Sequence, residues 1–158
     1  MVTKRRTVAL VNLYWLGTLI AVQADLSFAE NWPCFRGPTR QGISHEEGIP
    51  LKWSATSNII WKTPIPGEGW SSPIVFDDRV YVTTSTNSGV SFRLLSLDRL
   101  TGNILWDKEV FQQKAGHKQL YNSYASSTPM TDGQKVYRRI RRQYCGDIKG
   151  RKYRVVEP

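Results

Sequence analysis

The chain has 158 residues, two cysteines and a formal net charge of +9. That length holds one modest domain, and a single cysteine pair does not make a disulfide framework. Residues 30–134 hold ten basic and ten acidic residues, whereas residues 135–158 hold nine basic and two acidic. The body is therefore neutral, which speaks against a nucleic-acid binder that spreads basic residues over a folded face.

The chain opens with Lys4-Arg5-Arg6 and an apolar run from Val8 to Val22, broken only by Asn12, Gly17 and Thr18. Ser27 and Ala29 are small residues two apart, as a signal peptidase requires. The run is short for a membrane span, which needs about 20 apolar residues. We expect a signal peptide over residues 1–29, cut between Ala29 and Glu30. An uncleaved anchor or a buried helix is the alternative. Export would allow Cys34 and Cys145 to oxidise, and neither has zinc-ligand neighbours. A signal of this kind leaves periplasm and medium equally open.

Residues 30–57 are rich in glycine, proline and tryptophan: Trp32-Pro33-Cys34-Phe35-Arg36-Gly37-Pro38, then Gln41-Gly42-Ile43, then Pro50-Leu51-Lys52-Trp53. Such a density of helix breakers predicts an irregular leader with turns. Its large apolar groups indicate that it packs on something.

From residue 58 the chain breaks into short apolar runs separated by turn residues. The runs are Ile59–Lys62, Pro73–Phe76, Arg79–Thr84, Phe92–Leu97 and Ile104–Val110, all rich in β-branched and aromatic residues. Four to seven residues per run, with regular turn signals, predict an all-β fold. The segment Ser71-Ser72-Pro73-Ile74-Val75-Phe76-Asp77-Asp78-Arg79-Val80-Tyr81 returns 56 positions later as Ser127-Thr128-Pro129-Met130-Thr131-Asp132-Gly133-Gln134-Lys135-Val136-Tyr137. A weaker echo sets Asp98…Gly102…Trp106 against Asp147…Gly150…Tyr153. Long periods with about four strands each mark propeller blades; the bland alternative is chance likeness between β-turns. The expected fold is thus all-β, with four-stranded antiparallel blades over residues 58–137, about one and a half to two of them.

The turn Asp98-Arg99-Leu100-Thr101-Gly102 has a physical logic. An Asp at its start accepts bonds from backbone N–H groups two and three residues on. Gly102 takes a positive φ without steric cost, and Trp106 is large enough to fill space between sheets. Pro73, Tyr81, Pro129 and Tyr137 hold equivalent places in the two copies. All eight positions read as scaffold.

Ser96-Leu97-Asp98-Arg99-Leu100-Thr101-Gly102-Asn103-Ile104-Leu105-Trp106 resembles the tryptophan-docking repeat A-x-D-x-x-T-G-x-x-x-W of PQQ-like β-propellers, with Ser for Ala. Trp70-Ser-Ser-Pro-Ile-Val and Trp32-Pro33-x-Phe35-Arg36-Gly37-Pro38 resemble exported bacterial members of that family. The resemblance covers about residues 31–137. It implies a quinoprotein-dehydrogenase-like propeller and a range of roles, from quinone-dependent alcohol oxidation to scaffolding in outer-membrane assembly. Cofactor-binding members use pyrroloquinoline quinone, calcium and typically adjacent cysteines. This chain has no adjacent cysteines and no acid–Asn calcium cluster we can place, so no catalytic, cofactor or metal residue is expected. Ile59–Lys62 resembles the outer strand that a last blade borrows to close a ring.

Beyond Tyr137 the pattern departs from the family, with Arg138-Arg139-Ile140-Arg141-Arg142 in place of an apolar strand. Four arginines in five residues read as a solvated or degenerate tail over residues 138–158; an anion-binding arm is the alternative. His45 and His117 lack metal-ligand spacing. Glu46-Glu47 and Asp77-Asp78 read as turn residues before they read as an acid and base. Ser71-Ser72 and Ser126-Ser127 have no base placed to activate them, and Gly67-Glu68-Gly69 is too short for a phosphate loop.

These features support three expectations: a non-catalytic exported propeller segment acting as a binding or scaffold module, a fragment of a quinone-dependent oxidoreductase, or an interaction peptide acting through its basic tail. Two incomplete sheets would also leave edges that invite self-association.

Overall fold

The computed structural model describes residues 29–114, 117, 118, 120–140 and 152–156. Of the expected export signal only Ala29 falls within them, and Cys145 and the Asp147–Gly150 turn lie outside. The fold is all-β, and no α-helix occurs among the described residues.

Four strands make the first sheet in the order β1 (Ile74–Phe76), β2 (Arg79–Thr86), β3 (Ser91–Asp98) and β4 (Ile104–Gln112). Each pairs antiparallel with the next, as hairpin connections require. Asp77-Asp78 makes the first turn, with Asp77 at φ 49°. A short 3-10 turn, Asn87–Gly89, makes the second.

The second sheet has the order β5 (Met130–Thr131), β6 (Val136–Ile140) and β7 (Lys152–Val156). Its opening hairpin repeats the register of the first: Ile74 faces Tyr81 and Val75 faces Val80, while Met130 faces Tyr137 and Thr131 faces Val136. Neither sheet closes on itself.

The first sheet is covered on both faces, so β2 and β3 are buried almost throughout. One face carries Ile74, Tyr81, Phe92, Leu94 and Val110, with Trp106 and Phe111 beside them, and meets Val136 of the second sheet. The other carries Val80, Leu95 and Leu97 and is covered by Trp61 and Ile65. The leader staples the two sheets along their first strands, β1 and β5, each at an edge of its sheet. Trp32 exchanges backbone hydrogen bonds with Val75 at 2.7 and 3.0 Å, and Thr131 donates to the Pro33 carbonyl at 2.9 Å.

Three expectations change here. Ile59–Lys62 is not a strand; it makes no ladder, and Ile60 is 91% exposed. Pro64 and Pro66 follow closely and lack the N–H that a ladder needs. The arginine run is no solvated tail at its start: Arg138 is buried at 3% exposure in β6. Residues 152–156 likewise form a strand, β7. The weaker echo is also not topological. Tyr153 lies in the third strand of its sheet, opposite Arg139, whereas Trp106 lies in the fourth strand of the first.

Candidate interaction surface

The Asp98–Gly102 turn is built from its first residue. One carboxylate oxygen of Asp98 accepts from the Leu100 N–H at 3.0 Å, the Thr101 N–H at 2.7 Å and the Thr101 hydroxyl at 2.8 Å. These donors favour the ionised form and hold the Asp98 carboxyl below its ordinary range, the Thr101 N–H contributing most. Gly102 closes the turn at φ 72° and donates to the Asp98 carbonyl at 2.9 Å.

This turn receives a tryptophan. The Trp61 Nε1–H donates to the Arg99 carbonyl at 2.9 Å, and the Thr63 hydroxyl donates to the Gly102 carbonyl at 2.6 Å. The indole lies so close to Gly102 that an added Cβ would stand 2.4 Å from its Cδ2. Composition and run length pointed to Ile59–Lys62 as a strand and gave no sign of this docking.

Between the sheets, the segments that precede the repeat prolines are knitted by hydroxyls. The Ser72 N–H donates to the Thr128 hydroxyl at 3.1 Å. The Thr83 hydroxyl donates to that of Ser71 at 2.7 Å and to the Ser127 carbonyl at 3.3 Å. The Trp70 N–H reaches the Ser123 hydroxyl at 3.0 Å, which lies 3.1 Å from that of Ser126. Neither His45 nor His117 takes part in these contacts. Ser71, Ser72, Ser126 and Ser127 thus sit in a seam of hydroxyl, amide and carbonyl contacts.

The face turned toward the second sheet has unmet polar groups. The Ser96 hydroxyl, the Trp106 Nε1–H and the Arg138 Nε and Nη1 are buried without hydrogen-bond partners among the described residues. Ser96 and Trp106 are register partners, and Trp106 packs against Tyr81 with ring centroids 6.0 Å apart. Arg138 lies over the Phe92 ring at 4.6 Å. Burial pushes its guanidinium down to about 10, so it carries its charge at neutral pH.

The remaining repeat positions sit in the hairpins. Pro73 precedes β1, and the fully buried Pro129 precedes β5. Burial raises the Tyr81 hydroxyl. The Tyr137 hydroxyl donates to Asp132 at 2.7 Å, a bond that raises Tyr137. Asp132 also accepts from the Lys135 N–H at 2.7 Å and the Gln134 N–H at 3.0 Å, which hold its carboxyl low.

An open cleft of about 330 Å³ lies at the other edge, lined by Ala29, Glu30, Asn31, Asp77 and Asp78. Among the described residues no group of three or more His, Cys, Asp or Glu is placed to hold a metal ion. None of their helices is long and apolar enough to cross a membrane.

The observed features define a class: an all-β protein of two antiparallel sheets, neither of them closed. No family model, curated protein or solved structure matches the chain.

Proposed function

We propose that this chain is an exported repeat protein of the PQQ-like β-propeller kind, whose sheets are successive blades and whose role is binding or scaffolding. The bond from Ser72 to Thr128 carries the reading, because those residues hold equivalent positions in the 56-residue repeat. Equivalent positions that bond to each other are what adjacent blades around an axis require. The shared hairpin register supports it further. Trp61 covers one face of the first sheet as a preceding blade would, and Val136 covers the other as a following blade would.

Binding rather than catalysis is favoured by the seam chemistry, where serines bond to threonines, serines and carbonyls. Titrating the purified protein with pyrroloquinoline quinone and calcium tests this. We expect no saturable quenching of tryptophan fluorescence and no dye-linked alcohol oxidation. Turnover with both additions would establish the oxidoreductase alternative instead.

Localisation in the periplasm or outside the cell is part of the same proposal and rests on the Lys4–Ala29 sequence. N-terminal sequencing of the exported product is its test: a start at Glu30 supports it, and a start at Met1 overturns it. A basic-tail peptide is the weaker reading, because Arg138 is turned into the protein and not toward solvent.

A further inference from the structure

The cleft beside the β1–β2 turn surrounds the bond at which the export signal is expected to end. Its lining places Ala29, Glu30 and Asn31 against Asp77 and Asp78. Beside it the Glu30 N–H donates to a Glu46 carboxylate oxygen in a short contact. The Glu30 side chain reaches the same segment, accepting from the Ser44 hydroxyl at 3.1 Å and the His45 N–H at 3.4 Å. Residues 44–46 thus wrap Glu30 from both ends. Asn31 ties the next residue down: its amide oxygen accepts from the Asp77 N–H at 2.6 Å, and its amide nitrogen donates to the Asp77 carboxylate at 3.1 Å.

We propose that this cleft is the seat of the processed N-terminus, with Glu46 as the counter-ion of the Glu30 α-ammonium. The proposal rests on the export reading above. Cleavage adds water across one peptide bond. The hydroxyl goes to the Ala29 carbonyl carbon, giving a carboxylate that leaves with the signal. The protons end on the Glu30 nitrogen, which becomes an ammonium. A neutral amide donor already aimed at a carboxylate is thereby turned into a cation aimed at it, which adds the attraction of opposite charges to a hydrogen bond that the carboxylate already strengthens.

The surrounding charges favour this. The carboxylates of Glu30, Asp77 and Asp78 line the cleft with Glu46 beside them, and Glu47 and His45 adjoin Glu46 in sequence. Two cations oppose it. Arg79 is occupied with Asp78 at 3.4 Å. Arg99 donates to the Ala29 carbonyl at 2.8 Å and the Asp77 carbonyl at 3.1 Å. Removal of Ala29 takes away the first of these acceptors and leaves Arg99 on the second. Processing therefore fastens the leader, and through Trp32 and Pro33 both sheets, at a point where the uncut chain has only an uncharged donor facing Glu46.

Three chains of defined start test this: one beginning at Glu30, one beginning at Ala29, and the Glu30 chain carrying Glu46→Gln. Each is labelled with an amine-selective acylating reagent near pH 7, in buffer and in denaturing urea. A free α-amino group titrates at about 7.7–8.0. Pairing with Glu46 raises that value, so the folded Glu30 chain should label about threefold more slowly than the same chain in urea, for an upward shift of about half a unit. The Ala29 chain and the Glu46→Gln chain should label at the rates of their unfolded forms. Equal rates for all three folded chains would overturn the seat while leaving the export reading intact. An exported product that begins elsewhere than Glu30 would overturn the assignment through the export reading itself.

Discussion

Trp61 and Gly102 are in face-to-backbone contact, with the indole Cδ2 2.4 Å from where a Gly102 Cβ would stand. The glycine is needed twice over, for its φ of 72° and for the absent side chain. Gly48 offers the control, because its φ is 71° and nothing lies within 4 Å of a Cβ built there. Alanine at Gly48 meets only the left-handed backbone, at about 1–2 kcal/mol. Alanine at Gly102 meets the same strain and must also displace Trp61 and its bond to Arg99. Urea unfolding of the two variants should place Gly102→Ala at least about 1 kcal/mol below Gly48→Ala, the scale of one lost hydrogen bond. Equal losses would mean that the docked tryptophan adds nothing to stability.

Arg138 occupies the place in its hairpin that Val82 occupies in the first. Each follows a tyrosine that faces the first residue of the preceding strand. Val82 packs against apolar neighbours, whereas Arg138 brings two unpartnered nitrogens into the same kind of layer. Burying a charge without hydrogen-bond partners is costly, and even buried ion pairs replaced by apolar groups of similar volume often leave the protein as stable or about 1–4 kcal/mol more stable. Arg138→Met should therefore raise the thermal midpoint. The effect depends on pH with a definite sign. A cation whose folded pKa is lowered binds fewer protons when folded, so its penalty is full at neutral pH. That penalty fades as pH rises from about 10 toward the ordinary arginine value. The advantage of Arg138→Met should shrink over that window. A variant less stable than the parent at pH 7 would show that the guanidinium is paired.

How much of this was legible in the sequence differs from element to element. The strands of the first sheet are legible because β-branched runs meet turn residues at Asp77-Asp78, Asn87–Gly89 and Asp98–Gly102. The hairpin repeat is legible because register follows from Pro-to-Tyr spacing. The docking of Trp61 is not, since its acceptor lies 38 residues away on the Arg99 backbone and no local pattern encodes it. Burial of Arg138 is hidden for a similar reason. Charge patterning measures a run by its own neighbours, whereas the layer that covers Arg138 comes from Phe92 on another strand. The seat at Glu46 is likewise invisible, because an acidic pair in a loop reads as solvated until the chain folds back on Glu30.

Asp98 and Asp132 make the two turns sensitive to acid. Both carboxyls are held below their ordinary value, Asp98 mainly by the Thr101 N–H and Asp132 mainly by the Lys135 N–H. A carboxyl with a lowered folded pKa contributes stability that is present above its unfolded value, about 3.9 for Asp. That stability is lost as pH falls through the folded value. Thermal midpoints of the parent should therefore decline below about pH 4. Asp98→Asn should start lower at pH 7 and decline less over the same window. Parallel acid limbs for parent and variant would show that the Asp98 charge plays no part.

The two interlayer tryptophans give the sharpest comparison. Trp61 has its Nε1–H bonded to the Arg99 carbonyl, whereas the Nε1–H of Trp106 is buried without an acceptor. Phenylalanine removes the N–H in both cases and keeps an aromatic ring. At Trp61 it also strips the Arg99 carbonyl of its indole donor, which should cost about 1 kcal/mol beyond the lost ring area. At Trp106 it removes a buried donor that has no acceptor among the described residues, and the relief should offset much of the lost packing. Trp61→Phe should therefore unfold at lower urea than Trp106→Phe. The order should reverse only if Trp106 gains a carbonyl acceptor in a larger assembly. Repeating the pair of melts over a range of protein concentrations separates the cases. A Trp106→Phe penalty that grows with concentration would place a docking turn of another chain against Trp106, and a constant small penalty would leave that indole unpaired in the working protein.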